Sequence, residues 1–411
     1  MPERLTGDDR VVEIEGVRIT SPGLTGTVEV HRPGSPGMRA AEAATADLHS
    51  ALAATGMVEQ LTVEILRPEE RPLPAGAATR STARDEPALV VEVPGPGSGR
   101  AQVLLAADED GVLSWHLPVD GTPAQAATRG EERRTYLLPR RVVPAAAAGT
   151  RGLIGAVGRK LFKVLSFRLL DPVLGRIGDG FASAWERRNR PHRLRSFSRD
   201  DFQAPAGTEL APTDFARLAG GRALLFVHGT LSTTHGAFGR IEPALVDELH
   251  QRYGGRVFAF DHPTISVTPQ ENARVLAQLL AEGRPAGQGF DVDVVAHSRG
   301  GLVIRELVER PGEAGLPEGL LRLGTVVFVA TPNAGTALAD RHHLSDFVDT
   351  FTNLLELVPD NPVVEILASV ITVLKQVAVG ALGGLDGITA QAPGSEYLTG
   401  LNRGAGAPPA P

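Results

Sequence analysis

From about residue 201 onward, apolar strand-like runs alternate with helical stretches, and this alternation narrows the possible folds more than any other feature of the chain. RALLFVHG (222–229), GRVFAFDH (255–262), FDVDVVAHS (290–298) and GTVVFVAT (324–331) read as strands. IEPALVDELHQRY, QENARVLAQLLAEG and LVIRELVER between them have helical spacing. Parallel strands need crossovers of this length, whereas hairpins do not. The expected fold class is therefore α/β: a doubly wound, mostly parallel sheet with helices on both faces.

A chain of 411 residues exceeds what one core usually needs, so a second domain is expected. Residues 1–145 carry short strand-like runs (VVEIEGVRI, GTVEV, LTVEIL, ALVVEV, AQVLLA) around one Ala-rich helical stretch. They read as a small α+β accessory domain with Pro- and Gly-rich turns and no cluster of chemistry-bearing residues. Residues 146–200 form a connector. Within 151–199, twelve Lys or Arg face three acids, and apolar residues from Leu153 to Leu169 recur at three- and four-residue steps. That spacing predicts a basic amphipathic helix pair, able to pack on a neighbouring domain or to lie on an anionic membrane surface. The α/β domain is expected over 201–402, and the Gly/Pro-rich residues 403–411 are expected to be a disordered tail.

Composition removes several function classes. A net charge of −7 gives no general attraction to nucleic acid, and no nucleic-acid module is visible. Without cysteine there is no thiolate nucleophile, disulfide or Cys-based zinc site, and no histidine–acid cluster has metal-ligand spacing, so neither metal nor cofactor is expected. The start, MPERLTGDDR, has no signal-peptide core. The most apolar stretch, VVEILASVITVLKQVAVGALGG from Val363, is interrupted by Glu365 and Lys375 and reads as a core or lid helix. A cytoplasmic protein is the expectation.

The chemistry-bearing stretch is Ala296-His297-Ser298-Arg299-Gly300, between an apolar strand and a helix. A serine on a tight strand-to-helix turn projects its hydroxyl above the sheet edge. The helix N-terminus there favours negative charge developing on a substrate oxygen. The alternative is an ordinary turn with Ser298 as an N-cap. About seventy residues upstream, FVHGTLSTTHGAFG puts His-Gly at the end of an earlier strand, where an oxyanion loop belongs. The backbone N–H of Thr230 or Leu231, with that of Arg299, would supply the two donors.

With FVATPNAGTALAD at Phe328, these segments resemble the α/β-hydrolase fold, in particular its lipase and esterase branch, over residues 222 to about 340. The resemblance implies that Ser298 is the nucleophile of a two-step acyl transfer on a carboxylic ester or lipid.

The triad order in such enzymes is Ser, then Asp or Glu, then His. Only His342 and His343 follow Ser298, about a dozen residues beyond the strand ending at Thr331 and ahead of any further strand. A chain shortened at its C-terminus, a substitute base such as His262 or His235, and an inactive binding or scaffold module are the three open explanations. His262 earns its place by standing at the carboxyl end of a strand, the edge where open α/β sheets bind ligands.

Overall fold

A computed structural model describes residues 2–33, 46–72, 88–108, 112–119, 133–139, 159–169, 180–336, 339, 344–354, 363–378 and 384–403. The first elements are β1 (Glu3–Thr6), β2 (Val11–Ile14), β3 (Val17–Thr20), β4 (Leu24–His31), α1 (Ala46–Ala54) and β5 (Val58–Glu70). They are followed by β6 (Ala88–Pro94), β7 (Arg100–Ala107), β8 (Leu113–His116), β9 (Arg133–Pro139) and β10 (Arg159–Arg168). Then come α2 (Phe181–Asn189), β11 (Arg193–Ser196), α3 (Pro212–Ala219), β12 (Ala223–Val227), α4 (Thr234–Phe238) and α5 (Pro243–Arg252). The next are β13 (Val257–Asp261), α6 (Pro269–Gly283), β14 (Phe290–His297), α7 (Gly300–Glu309) and β15 (Leu321–Val329). The last four are α8 (Leu344–Leu354), α9 (Val363–Ala378), α10 (Asp386–Thr389) and α11 (Glu396–Asn402). The chain is a mixed α/β protein with three sheets among the described residues, in two units: Met1–Gly180 with Val348–Ala381, and Phe181–Phe347 with Leu382–Pro411.

The first unit holds a six-stranded sheet, β1-β4-β5-β10-β7-β8, and a four-stranded sheet, β2-β3-β6-β9, both antiparallel. Strands such as β6 and β9 alternate buried and accessible residues, the pattern of a half-buried strand. Their inward residues, Leu89, Val91, Tyr136 and Leu138, share one core with Val63, Ile65, Leu104 and Val164 of the larger sheet.

Here the structure corrects the expected connector. Residues 159–168 are not an amphipathic helix; they form β10, paired on both sides with β5 and β7 and buried through all but its ends. A strand buried on both faces has a nearly continuous apolar run, in which three- and four-residue steps occur without any helical cause. Two of the cations are buried as well: Lys160 is 4% exposed, and Lys163, 3% exposed, reaches the Glu59 carboxylate at 2.8 Å. The flanking parts of the expected helix pair, 151–158 and 170–179, lie outside the described residues, and the unit continues to Gly180 rather than ending at 145.

The apolar stretch from Val363 forms α9, which packs against α1 within this same unit, and its Lys375 Nζ donates to the Thr55 carbonyl at 2.8 Å. Helix α8 is tied to β8 through Asp349, Thr352 and Asn353, which bond Trp115 and Leu113. Residues Val348–Ala381 thus complete the first unit. No helix among the described residues is long and apolar enough to cross a membrane.

The second unit is built on one five-stranded sheet in the order β11-β13-β12-β14-β15. β12 runs parallel to both β13 and β14, β14 runs parallel to β15, and only β11 at the edge is antiparallel. Period-two alternation splits β12 between two cores. Leu225 and Val227 join Leu276 and Leu280 of α6 and Val303 and Ile304 of α7 on one face. Leu224 and Phe226 join Phe197, Phe238 and Val246 on the other, where the Phe197 and Phe226 rings stack at 4.2 Å.

The crossovers are well punctuated. α6 opens on a capping box in which Thr268 Oγ1 accepts from Glu271 N–H and the Glu271 carboxylate accepts from Thr268 N–H, with Pro269 at the first helical position. Along the chain β12 is followed by β13 on one side and then by β14 on the other. The strand order therefore reverses between β12 and β14, and the carboxyl ends of such strands are where open α/β sheets bind ligands.

Candidate active site

Three non-glycine residues with positive φ stand at the carboxyl ends of three adjacent strands: Leu231 (φ 57°) after β12, Ser298 (φ 52°) after β14 and Ala330 (φ 52°) after β15. Each position costs about 1–3 kcal/mol and persists only where surrounding structure enforces it. At Ser298 the enforcement is visible. Its N–H donates to the Val329 carbonyl at 2.7 Å, extending the β14–β15 pairing into the turn, and Gly301 N–H returns to the Ser298 carbonyl at 3.0 Å. Helix α7 then starts at Gly300, where a Cβ would lie 2.5 Å from the carbonyl oxygens of both Val227 and His228. Only glycine permits this approach of helix to strand. Gly229 faces the serine in the same way, since a Cβ there would lie 2.6 Å from Ser298 Cβ and 3.1 Å from its Oγ. Ser298 is half-buried, and its hydroxyl makes no hydrogen bond with any described residue.

Of the expected oxyanion donors, two have free N–H groups and one does not. Neither the Thr230 nor the Arg299 N–H donates to a described residue. The Leu231 N–H is committed to Thr264 Oγ1 at 3.0 Å, so of the two N–H groups expected on this loop only that of Thr230 makes no bond with a described residue. The Thr230 hydroxyl donates to Gln391 Oε1 at 3.1 Å. The Arg299 guanidinium is fully buried: Nε donates to the Gly387 carbonyl at 3.0 Å and Nη2 to the Val267 carbonyl. Burial without a carboxylate in contact pulls it down to about 10.

The histidines are placed differently from what a triad needs. His262 is stacked between Phe260 (5.0 Å) and His228 (4.1 Å), with Nδ1 against the Phe260 carbonyl and no bond to Ser298. Burial, reinforced by the His228 ring, pushes it well below its ordinary range, which keeps it neutral. His228 is also neutral, lowered to about 4 by burial. Its Nδ1 faces the Gly229 carbonyl at 3.1 Å, and its Nε2 accepts the His262 N–H at 3.2 Å, which fixes the tautomer with the proton on Nδ1. His297 turns toward Phe238, and His235 is buried in α4. His342 and His343 lie outside the described residues. Among the described residues, no group of three His, Cys, Asp or Glu side chains could hold a metal ion.

Two carboxylates that matter here carry no sequence signal. Asp261, 3% exposed, accepts from Arg193 Nη2 at 2.8 Å and from the first N–H of α4, that of Thr234, at 3.0 Å. Burial acts to raise it, but His228, the Thr234 donors and Arg195 outweigh that and hold it below the usual carboxylate range. Glu186 of α2, 1% exposed, accepts the N–H groups of Thr264, Ile265 and Ser266 and the Ser266 hydroxyl at 2.5–2.8 Å. In the sequence Glu186 is one of three acids in a basic run, beside Arg187 and Arg188.

A family model described as a domain of unknown function (DUF7379) matches residues 189–410, more than half of the chain, and the protein belongs to that family. Among solved structures, the mature form of the Bacillus licheniformis lipase BlEst2 is similar at 18% identity and a TM-score of 0.25. That match covers 44% of this chain and 57% of the lipase. No curated protein matches the sequence.

Proposed function

We propose that the second unit has an α/β-hydrolase fold and acts as a serine hydrolase on carboxylic esters, including lipids, through an acyl-enzyme on Ser298. The observation that carries this reading is the strained Ser298 at the reversal of strand order, its hydroxyl and the N–H groups of Thr230 and Arg299 all unbonded to any described residue. In the first step Ser298 Oγ bonds to the carbonyl carbon while the carbonyl oxygen takes negative charge and is met by those two N–H donors. The C–O bond to the alcohol then breaks and the alcohol leaves with the serine proton. Water repeats the sequence on the acyl-enzyme. His228 and His262 bond backbone groups and not the Ser298 hydroxyl, so neither is given a proton-transfer role in this scheme, and catalysis by the described residues rests on the elbow and the oxyanion hole.

A second reading, a binding module on the same fold, is favoured by one observation: no described histidine bonds the Ser298 hydroxyl. An alkyl fluorophosphonate separates the two. The serine hydrolase reading expects covalent label on Ser298 in the full chain and none in Ser298→Ala. A folded chain that takes no label, or label that persists in Ser298→Ala, favours the binding module. Short-chain p-nitrophenyl ester turnover is expected to be slow and to vanish in Ser298→Ala, while His262→Ala and His235→Ala test each histidine as a base.

A further inference from the structure

We infer that Glu186 is a positioning residue that fixes the oxyanion hole, acting through the loop 264–267; this rests on the reading of Ser298 as the nucleophile. Both halves of the hole are tied to that loop. On the β12 side, Thr264 Oγ1 takes the Leu231 N–H, which locks the left-handed turn at Leu231 and leaves the preceding N–H, that of Thr230, unbonded. On the β14 side, the guanidinium of Arg299, whose own N–H is the other donor, holds the Val267 carbonyl.

The loop between these two anchors has no regular structure of its own, and its backbone N–H groups would be orphaned by burial. The Glu186 carboxylate satisfies three of them in succession. Gly387 closes the other side, with its N–H on the Ile265 carbonyl at 2.9 Å and with no room for a Cβ, which would lie 2.5–2.8 Å from the carbonyls of Thr264, Ile265 and Val267. A carboxylate remote in sequence thus sets the separation of two backbone donors that never touch it. An acid is required because each of its oxygens must accept. An amide would turn an N–H₂ group toward backbone N–H groups.

The reaction of Ser298 with an alkyl fluorophosphonate reads this arrangement directly. The Oγ–P bond forms, the P–F bond breaks, fluoride leaves, the serine proton passes to solvent, and the phosphonyl oxygen occupies the hole. With the full chain, Thr264→Val and Glu186→Gln are expected to lower the maximal labelling rate roughly 10- to 100-fold. The half-saturating probe concentration should stay within about twofold, because the donors act on charge that develops only in the transition state. Thr264→Ser, which restores the acceptor, is expected to recover the rate to within about threefold.

Amide exchange over 229–232 should quicken in Thr264→Val and not in Thr264→Ser. Folded Thr264→Val and Glu186→Gln proteins that label at the wild-type maximal rate would overturn the inference while leaving the nucleophile in place, even if exchange quickens. A wild-type chain that takes no label would overturn the reading of Ser298 and this inference with it.

Discussion

The two units place backbone strain in opposite ways. In the first, Glu15 (φ 49°) and Gly16 (φ 85°) form the two-residue turn joining β2 to β3, and Arg67 (φ 51°) sits within β5. The hairpin values are those of a turn whose twist matches its strands, and they serve chain reversal. In the second unit, Leu231, Ser298 and Ala330 gather at the carboxyl ends of three neighbouring strands, where the chain leaves the sheet. Strain scattered over separate elements serves the local path of the chain, whereas strain gathered at one sheet edge marks where a site is to be sought.

The two tryptophans allow each unit to be followed separately, because Trp115 lies in the first and Trp185 in the second. Trp185→Phe leaves the first unit reporting, and Trp115→Phe leaves the second. The largest effect is expected from Gly300→Val, whose branched side chain must enter a space already held by the Val227 and His228 carbonyls. More than about 4 kcal/mol should be lost from the second unit in urea, with the Trp115 transition kept. An unchanged Trp185 transition would mean that the helix does not approach β12 as described.

Next is Asp261→Ala, which leaves Arg193 and the Thr234 N–H without their buried partner and should cost the second unit about 3–5 kcal/mol. A loss below about 1 kcal/mol, the worth of one hydrogen bond, would show that the carboxylate is not held as the geometry indicates.

A smaller contrast is expected from pH. Among the described histidines, burial lowers His192, His228, His262 and His297 in the second unit and His116, to about 4, in the first. Each stays neutral when folded but takes a proton near pH ~6.5 when unfolded, so the unfolded state binds more protons as pH falls. Stability is fully present above about pH 6.5 and declines toward pH ~4. The Trp185 midpoint should fall more steeply across this window than the Trp115 midpoint. Equal slopes would refute the burial of the His228–His262 pair.

The smallest effects belong to the hairpin. Gly16→Ala should cost the first unit about 1 kcal/mol, since φ is unfavourable while the nearest atom, Pro94 Cγ, is 3.5 Å from the added Cβ. Glu15→Asn should return a few tenths of a kcal/mol, about what a residue tolerant of positive φ is worth there. Both variants should leave fluorophosphonate labelling unchanged.

The sequence alone determined the parallel strand run from Ala223, the turn at Ser298 and the glycines that permit it. Alternation of apolar runs with helices and the need for small residues at a close approach are written in neighbouring residues. Only tertiary structure decided three other things. β10 looked helical because burial on both faces comes from β5 and β7, which no local pattern announces. Thr230 rather than Leu231 keeps a free N–H because the Thr264 hydroxyl arrives from another loop to take the Leu231 donor. Glu186 changes from one charge in a basic run to a buried acceptor of three N–H groups because folding brings it against residues 264–266. Strand and turn propensities act over a few residues, whereas burial and hydrogen-bond partnership are set by whichever distant segment the fold delivers.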